Sequence, residues 1–122
     1  MEEMHIRNYA YLGDAVWELY IREQTVLVTE HSKELHKLTT ERVKASNQAM
    51  LLRGLEEILT DTERDIARRA RNLPVPVARR SNQSEYRQAT AFEALIGWWY
   101  KVDKRRLEEI FMKLVEFELN KI

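Results

Sequence analysis

The fold is decided by the stretch YLGDAV at residues 11–16, which has a counterpart in FEALIG at residues 92–97. Each stretch places one carboxylate, Asp14 or Glu93, in an otherwise apolar helical run, and the two acids lie 79 positions apart. An ionised carboxylate inside an apolar helix face costs several kcal/mol unless a positive charge meets it. Because small neighbours such as Ala10 leave room above the carboxylates, we predict that Asp14 and Glu93 bind a divalent metal.

The spacing of these residues also permits a simpler interpretation, in which Asp14 and Glu93 are solvated or paired with arginines. Residues four positions apart share a helix face, so Glu18 and Arg22 would then form an ordinary ion pair. In the metal hypothesis the ion is Mg²⁺, which prefers a few carboxylate oxygens together with water and substrate phosphate. Both interpretations stay open on the residues alone.

The bulk composition indicates one compact helical domain over residues 1–122. The hydrophobic content is 44%, with three Gly and two Pro, which argues against disorder. The absence of Cys excludes a disulfide framework and thiolate metal ligands. No apolar run reaches the ~18 residues of a membrane span, and the first residues do not resemble a signal peptide. We therefore expect a cytoplasmic protein without membrane contact.

The hydrophobic periodicity predicts an all-α chain of five helices and no sheet. The first helix is apolar on nearly every side, which is typical of a helix buried in a core or an interface. Thr60 and Glu63 form a capping box at the start of the third helix, and Asp103 caps the fifth. The predicted helices cover residues 6–24, 32–52 with a break near 39–40, 60–72, 85–101 and the chain after 103, and a flexible loop covers 73–84.

The chain has a net charge of zero but contains one arginine-rich segment. Residues 64–88 contain seven Arg and two acids, a local balance of +5 that leaves −5 for the remainder. Such a concentration indicates a segment that meets an anion. Arg64, Arg68 and Arg71 would share one face of the third helix, where a solvated charged surface is the alternative. Arg79 and Arg80 lie in the loop, where few acids are near and the chain can adapt to a ligand.

The two acidic stretches resemble the two catalytic helices of the ribonuclease III endonuclease family. Residues 11–19 are similar to its signature helix, with a Leu-Gly-Asp-Ala/Ser-Val core, and residues 90–97 to its second acidic helix, with a Glu-Ala-Leu-Ile-Gly core. Residues 35–40, 68–72 and 85–90 resemble the short single-domain branch called Mini-ribonuclease III. The resemblance covers essentially the whole chain.

The resemblance implies a Mg²⁺-dependent endoribonuclease for double-stranded RNA, with Asp14 and Glu93 as catalytic residues and metal ligands. It implies a homodimer with one cut per subunit on opposite strands, leaving 5′-phosphate and 3′-hydroxyl ends with a short 3′ overhang. Its branch implies trimming of the precursor of large-subunit (23S) ribosomal RNA, and a ribosomal-protein helper is a further candidate partner. Arginines suit the phosphates of a duplex, so the predicted RNA-binding residues are Arg64, Arg68, Arg71, Arg79, Arg80 and Arg87.

The chain departs from full-length ribonuclease III at two positions. That family has further acids four residues before the signature Asp and three before the second-helix Glu, where this chain has Ala10 and Thr90. The family's usual RNA-binding domain does not follow within residues 1–122, so we expect this domain alone to bind substrate.

Two other functions stay open. One is a non-catalytic relative of the same fold that binds double-stranded RNA, which the two missing acids would explain. The other is an all-α nucleotide pyrophosphohydrolase, although the chain lacks the facing acidic clusters that this class needs.

Overall fold

A computed structural model describes residues 3–119 of the chain, with side chains to residue 116. No strand occurs in this range, which confirms the all-α prediction. None of the described helices is long and apolar enough to cross a membrane. The helices are α1 (Ile6–Thr25), α2 (Ser32–Val43), α3 (Ala45–Leu55), α4 (Asp61–Arg71), α5 (Gln83–Val102) and α6 (Lys104–Leu119), with short 3₁₀ turns at Glu56–Ile58 and Val77–Asn82.

The central helix is α5, which packs against α1, α3, α4 and α6. Phe92, Leu95 and Trp99 of this helix are fully buried. Trp17 of α1 meets Phe92 edge to face, with 5.1 Å between the ring centroids. Because the middle of α5 is buried on most sides, a polar residue there, such as Glu93, is held close to the core.

The capping box predicted at the start of α4 is present, and its Glu63 also forms a partly buried ion pair. Thr60 Oγ1 accepts from Glu63 N at 3.2 Å, and Thr60 N donates to Glu63 Oε1 at 2.9 Å. Glu63 Oε2 accepts from Trp99 Nε1 at 2.8 Å and from Arg106 Nε at 3.0 Å. Asp103 Oδ1 accepts from Arg106 N at 3.1 Å, which confirms the predicted cap of α6. Glu63 thus joins α4, α5 and α6.

The break predicted near residues 39–40 lies elsewhere, and residues 3–119 form six α-helices where five were predicted. The chain turns at Lys44, whose extended backbone (φ −67°, ψ 155°) separates α2 from α3. The Lys44 carbonyl oxygen accepts from Asn47 N at 3.1 Å and so opens α3. Thr39 stays inside α2, where its buried hydroxyl lies 3.2 Å from that of Thr25 and holds α2 to α1.

The segment 73–84, predicted as a flexible loop, contains more helix than expected. A 3₁₀ turn occupies Val77–Asn82, and α5 already begins at Gln83. Pro76 precedes the turn with φ −58°, the value its ring imposes, and its carbonyl oxygen accepts from Arg79 N at 2.9 Å. Only the stretch between α4 and Val77 lacks helix, and it forms one wall of the site described below.

Candidate active site

Two glycines bring the backbones of α1 and α5 into contact. A Cβ on Gly13 would overlap the Glu93 carbonyl oxygen and lie 2.8 Å from Gly97 N. A Cβ on Gly97 would overlap the Tyr9 carbonyl oxygen and lie 2.9 Å from Gly13 N. Any other residue at either position would force the helices apart, because the obstacle is rigid backbone. The crossing therefore brings Asp14, which follows Gly13, next to Glu93.

Asp14 and Glu93 form a pair of carboxyl groups in hydrogen-bond contact. Asp14 is exposed, whereas Glu93 is half-buried. Burial, followed by the hydrogen bond and the charge of Asp14, raises the pKa of Glu93 to about 8. The side chain of Gln48, on α3, also hydrogen-bonds to Glu93 and acts in the opposite direction. Since two like charges this close oppose each other, the pair keeps a proton at neutral pH unless a cation replaces it.

The acid pair lies in a cleft of about 370 Å³. Arg7 and Tyr11 line it from α1, and Tyr86 and Arg87 line it from α5. The remaining walls are small or apolar: Ala10, Ala70, Leu73, Pro74, Pro76 and Thr90. The site is thus an open, partly basic depression with two carboxyl groups at the helix crossing.

The neighbours of Asp14 and Glu93 can be compared with the simpler interpretation, in which these acids are solvated or paired with arginines. Glu18 and Arg22 do form the expected ion pair, at 3.0 Å. Within the described residues, however, neither Asp14 nor Glu93 forms an ion pair with an arginine or lysine. The two carboxyl groups contact each other instead, which is the arrangement that a bound cation would stabilise.

The donor set of the cleft fits Mg²⁺ with few protein ligands. Ala10 and Thr90, which replace the acids of full-length ribonuclease III, both line the cleft. Thr90 Oγ1 donates to its own helix, at Tyr86 O, over 3.0 Å. Across residues 3–119, no three or more His, Cys, Asp or Glu side chains converge. Two carboxylates leave the other positions to water and substrate phosphate, an arrangement that Mg²⁺ accepts.

Two of the six arginines predicted to bind RNA lie at this cleft. Arg87 lines it, and its Nη1 donates to the carbonyl oxygens of Arg71 and Leu73, so the side chain also ties the end of α4 to α5. The guanidinium carbon of Arg79 lies 5.9 Å from the ring centroid of Tyr86, at the rim of the cleft. Arg87 therefore has a structural role that the sequence did not indicate.

The other four predicted arginines lie on different surfaces. Arg64 and Arg71 line a second cavity, and Arg80 lines a third. Arg68 Nη2 forms an exposed ion pair with Asp65 Oδ1 at 2.6 Å, as the alternative of a solvated charged face predicts. A single chain therefore spreads its arginine-rich segment over several surfaces, and RNA contact by these residues stays a prediction.

Sequence reasoning assigned no function to several residues of the site. Arg7 and Tyr11 precede Asp14 by seven and three positions, so helical spacing alone places them on its face. No local pattern marks Gln48, because it reaches Glu93 from another helix through tertiary packing.

The chain is similar to known proteins over most of its length. A model of the Ribonuclease III domain matches residues 7–104, which include both Asp14 and Glu93. Mini-ribonuclease 3 of Gloeobacter violaceus is 42% identical, over 97% of this chain and 87% of its own length. Mini-ribonuclease 3 of Clostridium tetani is 36% identical, over 94% of this chain and 78% of its own length. The chain belongs to the ribonuclease III family.

Similarity over nearly the whole chain assigns it to the Mini-ribonuclease 3 branch, and as a member of this family it is an endoribonuclease. A solved structure of a protein from Fusobacterium nucleatum superimposes with a TM-score of 0.84 at 29% identity, covering 96% of each chain. The predicted ribonuclease III-like fold is thereby confirmed.

Proposed function

We propose that this endoribonuclease depends on Mg²⁺ and cuts double-stranded RNA, with Asp14 and Glu93 as metal ligands. The observation that carries the proposal is the contact of two carboxyl groups from α1 and α5 in one open cleft. Asp14 and Glu93 would hold the Mg²⁺, which would supply a water of lowered pKa and neutralise charge on the scissile phosphate. The products would carry 5′-phosphate and 3′-hydroxyl ends, as the family resemblance implies.

The residues around the cleft have different proposed roles in binding the metal and the substrate. Glu93 is half-buried and hydrogen-bonded, so it offers an oriented carboxylate, whereas the exposed Asp14 faces incoming RNA. Arg7 lines the same cleft and can bind a phosphate oxygen through charge-assisted hydrogen bonds. Arg87 fixes the wall between α4 and α5.

We propose that the single domain of residues 1–122 binds the duplex by itself. A duplex is larger than the cleft and is recognised through phosphates and 2′-hydroxyls over its surface. The arginines on neighbouring surfaces support this extended contact, since Arg87 lines the cleft and Arg79 lies over the ring of Tyr86, which also lines it. The proposed RNA-binding set remains Arg64, Arg68, Arg71, Arg79, Arg80 and Arg87.

We propose that two copies of the chain act together, one on each strand. Exposed apolar residues on and after α1 support this: Leu19 is 60% exposed, Val26 60% and Leu27 87%. Burial in an interface explains these exposed apolar side chains more readily than contact with water. We expect the purified protein to sediment as a dimer, and a monomer at micromolar concentration would contradict the proposal.

The precursor of 23S ribosomal RNA is the substrate that membership of the Mini-ribonuclease 3 branch supports. This substrate implies work in the cytoplasm, where the precursor is made. It also suggests a ribosomal protein as a helper that presents the RNA stem to the enzyme.

The experiment that tests the proposed function compares a long RNA duplex with its single strand, with and without Mg²⁺. We expect discrete fragments with 5′-phosphate ends from the duplex only, and only with Mg²⁺. A duplex that is bound but not cut would instead favour the non-catalytic relative, with Ala10 and Thr90 as the explanation. Equal cleavage of the single strand would contradict the specificity for duplex.

A further inference from the structure

Gln48 reaches the acid pair from a third helix. It lies in the first turn of α3 (Ala45–Leu55), and only 2% of the residue is exposed. Its backbone N donates to Lys44 O at 3.1 Å, which fixes it at the start of the helix. Its side chain hydrogen-bonds to the carboxyl group of Glu93 on α5, against which α3 packs.

A buried amide at this position needs an explanation, because burying a polar group is unfavourable unless it is hydrogen-bonded. The neighbouring Asn47 is also buried, and its Nδ2 donates to Arg42 O at 2.7 Å across the turn between α2 and α3. Asn47 therefore holds the backbone. Gln48, in contrast, is directed at the carboxyl group of Glu93, so its amide serves the site.

We propose that Gln48 is a positioning residue that orients the Glu93 carboxylate for Mg²⁺. The amide restricts the rotation of the Glu93 side chain and directs it toward Asp14 and the cleft. Groups behind a metal ligand act in this way, and their loss typically lowers metal affinity or activity by about 10–100-fold. This inference rests on the proposed role of Glu93 as a metal ligand.

The test replaces the amide with an apolar side chain of similar length, Gln48→Met, and Gln48→Leu serves if that variant does not fold. Met has about the length and volume of Gln, so the substitution removes the hydrogen-bonding group without opening a large cavity. We expect the Mg²⁺ concentration for half-maximal duplex cleavage to rise by about 10–100-fold. The Mg²⁺-dependent rise in melting temperature, which needs no turnover, should shift to higher Mg²⁺ by the same factor.

Asn47→Ala is the matched control, because it removes the adjacent buried amide, whose Nδ2 donates to Arg42 O across the turn between α2 and α3. This variant should melt at a lower temperature but keep the Mg²⁺ midpoint of the wild type. If Gln48→Met shows the same Mg²⁺ midpoints for cleavage and for the thermal shift as the wild type, the proposed role of Gln48 is overturned and the proposed function stays intact. If the wild type itself shows neither cleavage nor a thermal shift with Mg²⁺, the proposed function fails instead.

Discussion

Asp14 and Glu93 carry the same functional group but differ in their surroundings. Glu93 is half-buried beside Asp14, and burial together with that neighbour raises its pKa from 4.5 to about 8. In the unfolded chain the same group would titrate near its ordinary value. At a pH between the two pKa values, Glu93 keeps its proton in the folded protein but has lost it in the unfolded chain. Ionisation of Glu93 therefore lowers the free energy of unfolding.

We predict that Glu93→Gln stabilises the metal-free protein at alkaline pH. Because the folded state holds the extra proton, the unfolding free energy of the wild type falls as pH rises from 4.5 to about 8. Gln does not titrate, so the variant should melt above the wild type at the upper end of this window and close to it at the lower end. Melting curves in a chelator measure the difference. Glu108→Gln, an exposed substitution on α6, is the control, and parallel pH profiles for wild type and Glu93→Gln would contradict the prediction.

Single residues differ in how far the sequence reveals them. Asp14 and Glu93 are predictable because each is a lone acid in an apolar helical run. Gln48 is not, because its partner lies 45 positions away on another helix. Arg87 was predicted to contact RNA, but its hydrogen bonds to the carbonyl oxygens of Arg71 and Leu73 depend on how α4 meets α5.

At the scale of helices, the crossing of α1 and α5 creates the site. Gly inside a helix is unfavourable by about 1 kcal/mol relative to Ala. Gly13 and Gly97 are kept at this crossing because each lies against the backbone of the other helix. The glycines thus set the separation of the helices that carry Asp14 and Glu93.

We predict that Gly13→Ala destabilises the protein by about 3 kcal/mol and reduces cleavage further than the loss of folded protein explains. The added methyl group would overlap the Glu93 carbonyl oxygen, and backbone cannot rotate away as a side chain can. Urea unfolding and cleavage rates at a temperature where the variant is folded measure the two effects.

Gly54→Ala is the control for this substitution. Gly54 is exposed in α3, so Ala should raise stability by up to about 1 kcal/mol. A Gly13→Ala protein as stable and active as Gly54→Ala would contradict the close crossing.

Helix boundaries follow from the sequence where local signals set them. The capping box at Thr60 and the cap at Asp103 were predicted and are present. The turn at Lys44 was missed because no Gly or Pro marks it, and it is held by Asn47, whose side chain crosses back to α2. Likewise, the 3₁₀ turn at Val77–Asn82 lies in a segment whose prolines and polar residues indicate a loop.

At the scale of the whole molecule, one partly buried ion pair holds three helices together. Arg106 and Glu63 pair at 3.0 Å, with 20% and 5% of their side chains exposed. Burial opposes the charge of Glu63, but hydrogen bonds from Arg106, Thr60 and Trp99 outweigh it and lower its pKa below 4.5. This contribution is present above the ordinary pKa of the carboxyl group and is lost as pH falls through the lowered value.

We predict that Glu63→Gln destabilises the protein by about 3 kcal/mol at neutral pH, because it removes the buried carboxylate that pairs with Arg106 and leaves the more exposed Glu109 to offset that charge. The loss relative to wild type should shrink in acid below pH 4.5, where wild-type Glu63 itself becomes protonated. Urea unfolding at both pH values measures this. Asp65→Asn removes an exposed partner of Arg68 and should change stability by less than about 1 kcal/mol, and equal losses in the two variants would argue against the buried network.

The arginine-rich segment leads to a second prediction for the whole molecule, which concerns the binding of the RNA duplex. Arg79 lies at the rim of the cleft, whereas Arg68 is paired with Asp65 on α4. Arg79→Gln should therefore weaken duplex binding and reduce the salt dependence of affinity by about one counterion. Arg68→Gln should change the affinity for the duplex and its salt dependence much less. Binding titrations over a range of salt concentrations distinguish the two, and equal effects would indicate that the duplex covers α4 as well.

The most direct test of the Asp14–Glu93 site is the cleavage rate of Glu93→Gln on an RNA duplex at saturating Mg²⁺. We expect the rate to fall by roughly 10²-fold or more, the scale of losing one electrostatic group from an active site. Binding of the duplex and the circular dichroism spectrum should stay those of the wild type. Cleavage by Glu93→Gln at the wild-type rate would contradict the assignment of the acid pair as the catalytic site.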